Sequence, residues 1–146
     1  MTTLPIYDST AGRTLKYDAW NRLITVRDAS SNLIQHNEYD GLGRRIVRAV
    51  YSGGSLDHKI HYYYNEEWQL LEERKEVSGT EYGDPLNHYL WHPYYIDALA
   101  VRWYDAVSNG TVSQTEYYNL HDANFNLTAI ANSSGTVVER AKLPRG

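Results

Sequence analysis

The chain has 146 residues, carries a net charge of −4 and contains no cysteine. These values exclude a basic nucleic-acid surface, a disulfide framework, a thiolate nucleophile and a cysteine-built zinc site. Fourteen tyrosines stand against one phenylalanine, and tyrosine favours strands with one partly wet face.

Met1–Ile6 lacks the basic start and apolar run of an export signal, and no apolar run is long enough to cross a bilayer as a helix. Tyr7-Asp8-Ser9-Thr10-Ala11-Gly12-Arg13 reads as a turn. Strands are predicted over Thr14–Asp18 and over the β-branched run Arg22–Arg27. Tyr17-Asp18-Ala19-Trp20-Asn21-Arg22-Leu23 joins them, with Asn21 suited to a left-handed position. Asp28–Asn32 is a polar turn cluster.

Leu33–Tyr39 and Arg45–Tyr51 are the next two predicted strands, joined by Tyr39-Asp40-Gly41-Leu42-Gly43-Arg44. Asp40 can accept the amide hydrogen two residues on, and Gly43 can take φ > 0 at the bulged exit. Ser52–Ser55 reads as a flexible loop. Along Lys59–Tyr64, period two puts Ile60, Tyr62 and Tyr64 on one face and Lys59, His61 and Tyr63 on the other. Gln69–Val77 is predicted to return as a strand, although its charges Glu72–Glu76 also suit a helix. The intervening turn, Tyr64-Asn65-Glu66-Glu67-Trp68-Gln69, keeps the aspartate frame. So does Asp122-Ala123-Asn124-Phe125-Asn126. Because Trp68 and Phe125 should avoid φ > 0, a different turn type is expected at these two.

Ser78–Pro85 reads as loop and Leu86–Trp91 as strand. Tyr94–Val101 fits strand and helix equally well. Arg102–Asp105 is strand-like and leads into a longer loop with an Asn109-Gly110 hairpin signal. Thr115–His121, Leu127–Ala131 and Thr136–Lys142 complete a meander, with a turn at Asn132–Gly135.

Asp18 and Asp40 are 22 residues apart, and Asp40 and Asn65 are 25 apart. Tyrosine precedes Asp or Asn at Tyr7, Tyr17, Tyr39, Tyr64 and Tyr104. Such a period marks a modular array rather than a plain meander. Tyr39-Asp40-Gly41-Leu42-Gly43-Arg44 resembles the signature of the bacterial YD-repeat, or Rhs-repeat, proteins, and Tyr17–Leu23 is a second copy. The likeness is clear over residues 7–75 and weaker over 85–141, within a single repeat region spanning 1–146. Tyr89–Leu99 also resembles a stretch found late in such arrays.

The resemblance implies an all-β fold of tandem antiparallel hairpins in a curved or spiralling sheet, a partial shell. In that family tyrosines stack along the sheet, and the shell encloses a toxin or effector or supports adhesion at the cell surface. The implied location is secreted or cell-surface. The implied partner is an associated polypeptide (a toxin, an effector or the rest of the array) or a surface glycan. The chain is expected to be a C-terminal part or separated piece of an array. Asp84-Pro85-Leu86-Asn87 lacks the family's Asp-Pro-x-Gly block, so scaffold character is carried over and self-cleavage is not. Open sheet edges predict self-association.

Nothing else specifies a reaction, a cofactor or a metal. His58 and His61 fall on opposite faces of a strand, and His36, His88, His92 and His121 are scattered. No serine sits in an elbow motif. Glu66, Glu67, Glu72 and Glu73 read as a solvated face or as edge-strand protection rather than as acid–base pairs. Gly41-x-Gly43 lacks a third glycine and a strand–helix context. Asn109, Asn126 and Asn132 begin short glycosylation matches. Trp91, Tyr94, Tyr95, Trp103 and Tyr104 are the densest aromatic group, and two readings stay open: a surface stacking on sugar or protein, or an aromatic ladder within the sheet.

Overall fold

The computed structural model describes residues 2–6, 9–95, 97–107 and 113–141, with side chains from Gly12 onward. Thirteen strands form one sheet order, and no helix occurs among the described residues. They are β1 (Thr2–Ile6), β2 (Ser9–Tyr17), β3 (Leu23–Arg27), β4 (Leu33–Tyr39), β5 (Arg45–Ser52), β6 (Ser55–Tyr64), β7 (Leu70–Val77), β8 (Thr80–Glu81), β9 (Asn87–Trp91), β10 (Leu99–Asp105), β11 (Gln114–His121), β12 (Leu127–Asn132) and β13 (Val137–Arg140). Neighbours in sequence pair in the sheet, except that β7 pairs both β8 and β9. Each pair described is antiparallel, and the sheet is open.

The all-β hairpin reading holds, and the strand preferred over Glu72–Glu76 is present as β7. The open choice over Tyr94–Val101 resolves into a bend closed by Ala98 N–H to Tyr95 O (3.2 Å), then strand from Leu99. Three expectations are corrected. Ser9–Gly12 is strand, with Gly12 paired to Pro5, because a preceding strand, β1, gives it a partner. The Tyr7-Asp8 step lies outside the described residues. Ser52–Ser55 is a tight two-residue turn, since Gly53 and Gly54 both take left-handed φ (57° and 83°). Ser78 and Gly79 turn the chain the same way, so Thr80–Glu81 is strand rather than loop.

By its contacts the chain divides into two compact units: residues 1–62 with 75–81, and residues 63–74 with 82–146. In the first, Leu15 pairs with Val26, Val26 with Gln35, and Arg48 with Ile60. Since side chains alternate, Leu15, Val26, Asn37, Ile60 and Tyr62 share one face, all buried. Val47 and Ala49 are buried on the other, beside His61 and Lys59. This unit is one layer of strands, so apolar burial comes from neighbours in the sheet and from long side chains folded over it. Asn37, 1% exposed, gives its amide hydrogen to Leu23 O (2.8 Å) and accepts from Gln35 (2.9 Å). Tyr39 donates to the same Leu23 carbonyl (2.9 Å).

The second unit buries small and polar groups: Ala98, Ala129, Ala131, Asp84, Asn87 and Asp105. Glu73, read from sequence as part of a solvated face, instead accepts from Asn87 (2.9 Å) and Tyr89 (3.2 Å). Leu86 bridges β7 and β10, donating to Glu73 O and accepting from Asp105 N–H.

Candidate functional site

One turn recurs six times, led by Asp18, Asp28, Asp40, Asn65, Asp122 and Asn132. In each, the leading residue gives its N–H to the carbonyl four residues on, and its own carbonyl accepts the N–H three residues on. Its side-chain Oδ1 accepts the N–H four residues on and, in the five turns other than Asp28's, the N–H two residues on as well. For Asp40 these are Arg44 (2.9 Å) and Leu42 (3.0 Å); for Asn65, Gln69 (2.9 Å) and Glu67 (3.0 Å). The fourth residue is left-handed each time: Asn21, Ser31, Gly43, Trp68, Phe125 and Gly135, with φ between 60° and 87°. This is a type I turn leaving through a bulge.

The expectation for Trp68 (φ 68°) and Phe125 (φ 60°) is therefore overturned. A left-handed L-residue costs roughly 1–2 kcal/mol. Four backbone N–H hydrogen bonds meet at Asn65 and at Asp122, and several at about 0.5–1.5 kcal/mol each outweigh that cost. At Gly43 an added Cβ would meet nothing within 4 Å, so the backbone angle alone decides the effect. Gly43→Ala is expected to destabilise by about 1 kcal/mol, and Trp68→Gly to shift the urea midpoint the opposite way. Urea unfolding of the two variants checks the signs.

The fifth residue completes the device. Arg22 and Arg44 each give Nε–H to the second carboxylate oxygen of Asp18 and Asp40 (both 2.7 Å). Asn32 and Asn126 do so for Asp28 (3.1 Å) and Asp122 (3.0 Å). Where Asn leads at 65, the polarity reverses, and its amide donates to Gln69 Oε1 (2.7 Å). Arg22 also ties adjacent turns together. Its guanidinium lies 4.9 Å from the Tyr39 ring and 5.1 Å from Trp20, and it donates to Asp40 O (3.4 Å). Tyr17 is exposed and Tyr64 half-buried. The turns at Asp28, Asp122 and Asn132 lack a preceding tyrosine; Asp122 is found by the aromatic and amide residues it shares with the Asn65 turn, and the complementary fifth residue is the pattern that finds Asp28.

These bonds set the carboxyl acidities. Desolvation pushes Asp18 and Asp40 up, but hydrogen bonds from the arginine and from backbone amides outweigh it and hold both below 3.8. Asn32 and Asn126 hold Asp28 and Asp122 down in the same way. Folded values below the unfolded one mean stability that is present above pH 3.8 and lost as pH falls through the folded values. The melting temperature should thus stay level from about pH 7 to 5 and fall below about pH 4. Asp28→Asn, which copies the Asn-led turns, should make that fall shallower in circular-dichroism melts.

Asp105 leads the longer loop differently. It is fully buried and splits its acceptors, Oδ1 taking Val107 N–H (2.9 Å) and Oδ2 taking Ser113 N–H (3.1 Å). The Asn109-Gly110 step lies outside the described residues.

The aromatic group divides. Trp103 pairs with His88 and Glu116, whereas Arg102 pairs with Tyr89 and Tyr117. Trp103 therefore lies on one face, and Trp91 and Tyr104 lie on the other. Trp103 donates to Glu116 (3.0 Å) and sits 5.2 Å from His88; Trp91 donates to Leu70 O (2.8 Å). Tyr95 stacks on Phe125 at 4.5 Å, and Tyr94 is 89% exposed. Tyrosine rings meet arginines repeatedly: Arg45 over Tyr62, Arg74 over Tyr63, Arg102 over Tyr104 and Tyr117.

The histidines serve locally. His61 is hydrogen-bonded to Glu76 (2.7 Å), which Lys59 also meets (3.1 Å), and these bonds lower Glu76. Among the described residues no group of three or more His, Asp or Glu is placed to hold a metal. No curated protein matches the chain. The family model described as RHS Repeat matches residues 7–56, the span holding the Asp18, Asp28 and Asp40 turns, and that family is a structural rather than a catalytic repeat. With its turns, hairpins and antiparallel pairing agreeing with that match, the stretch over residues 7–56 is made of Rhs, or YD, repeats.

Proposed function

We propose that this chain is a non-enzymatic scaffold, part of a β-shell that encloses or displays an associated toxin or effector polypeptide. The observation that carries this reading is the single-layer build of each unit. Within the second unit, Leu90, Tyr118 and Leu120 remain exposed on strands that pair only edge to edge. A one-layer wall with apolar side chains in the open suits a surface that another polypeptide covers. Co-expression with the polypeptide encoded beside it tests this. The two should co-purify, and the partner should resist protease concentrations that digest it alone; equal digestion with and without the scaffold would defeat the reading.

The alternative, a module binding surface glycan or protein, draws on exposed Tyr94 and on Tyr95. It has less support because Trp91 and Trp103 point to opposite faces. Self-association through unpaired strand edges belongs to the same proposal. Light scattering of the isolated chain should show species larger than a monomer, and a clean monomer would remove it.

A further inference from the structure

A groove in the second unit holds a cation that makes no ion pair among the described residues. It runs along β10–β13, has a volume of about 400 Å³, and is walled by Leu127, Ile130 and Val138 beside Arg102 and Tyr117. Arg102 stands opposite Tyr117 in the ladder, its guanidinium 5.0 Å from that ring and 5.6 Å from the ring of Tyr104. Two rings hold the guanidinium plane but supply no negative charge. Among the described residues the Arg102 guanidinium makes no hydrogen bond or ion pair, and Glu139, which also lines the groove, is not paired with it. Arg22, Arg44 and Arg74 behave differently, each meeting a carboxylate at 2.7 Å. In a chain of net charge −4, a half-buried guanidinium with no ion-pair partner among the described residues, beside aliphatic walls, is an unmet binding capacity.

Building on the scaffold reading, we propose that this groove takes an acidic side chain flanked by apolar ones, presented by the polypeptide that the scaffold encloses or displays. A guanidinium offers a carboxylate two parallel N–H donors, and its fixed plane reduces the ordering needed to form them. The aliphatic wall covers the neighbouring apolar side chains.

Nuclear magnetic resonance titration of the full chain with two probes tests this: acetyl-leucyl-glutamyl-leucine amide and its glutaminyl counterpart. The acidic probe should shift the backbone amides of Arg102, Tyr117 and Ile130 saturably, with affinity about ten-fold above the neutral probe. Arg102→Gln should abolish that difference while the spectrum stays dispersed. Equal shifts from both probes, or none from either, overturn the proposal on the unmodified chain alone, whatever the variant's folding. If the probe difference stands but no co-expressed polypeptide is protected, the scaffold reading fails and the groove survives; a protected partner with no probe difference removes the groove only.

Discussion

Ile60→Ala is expected to destabilise the chain by about 2–3 kcal/mol, the lower part of the range for truncating a buried aliphatic side chain. Ile60 is 1% exposed in β6, next to Tyr62 and opposite Arg48. Its burial is complete, but its cover is not a second layer of backbone. Arg45 lies over the Tyr62 ring at 4.8 Å, and long arginine stems can settle into part of the space a lost side chain leaves. Partial collapse of that kind separates the low from the high end of measured losses. Leu42→Ala, at a 62% exposed turn position, serves as the control and should change stability by less than about 0.5 kcal/mol. Urea unfolding of both variants decides the matter. Equal effects would mean that the first unit has no distinct buried stripe.

Asp105→Ala should cost about 3 kcal/mol, and Asp105→Asn should recover only part of it. Two amides, Val107 and Ser113, each take a different oxygen of this buried carboxylate. Alanine removes both acceptors. Asparagine keeps one oxygen and turns an NH2 toward the other amide, leaving two donors facing each other. The repeated turns make the opposite case. In five of them a single oxygen accepts both amides, which is why Asn65 and Asn132 lead such turns without loss of either bond. At Asp28, Asn32 can rotate its amide to meet a replacing asparagine, as Gln69 meets Asn65. Thermal unfolding should accordingly rank Asp28→Asn near the unmodified chain, Asp105→Asn well below it and Asp105→Ala lowest. If Asp105→Asn matched the unmodified chain, the split-acceptor geometry would be wrong.

The hairpin order was legible because its turn chemistry is local. Asp40, Gly41 and Gly43 lie within four residues, and each has one conformational role. Trp68 and Phe125 are not legible in this way, because their own side chains argue against φ > 0 while the bonds that impose it belong to Asn65 and Asp122. Asp28 and Asn132 do not stand out as copies because they have neither a preceding tyrosine nor the aromatic fourth residue of the Asn65 and Asp122 turns, and the geometry requires neither. The division of Trp91 from Trp103 depends on the β9–β10 register, which shifts by a bulge between Leu99 and Val101. No local pattern reports such a shift. Burial of Asp105 was equally hidden, since one of its donors, Ser113, comes from beyond the loop.

The fold depends on bends whose fourth residue is left-handed whatever its side chain. The intraresidue amide-to-Hα nuclear Overhauser effect reports this directly, because φ near +60° brings those two protons close. Strong intraresidue signals are predicted at Asn21, Ser31, Trp68 and Phe125, with cross-strand contacts joining Leu15 to Val26 and Arg48 to Ile60. Weak intraresidue and strong sequential signals at Trp68 and Phe125 would contradict it, since those bends would then be extended and the strands they join could not pair as described.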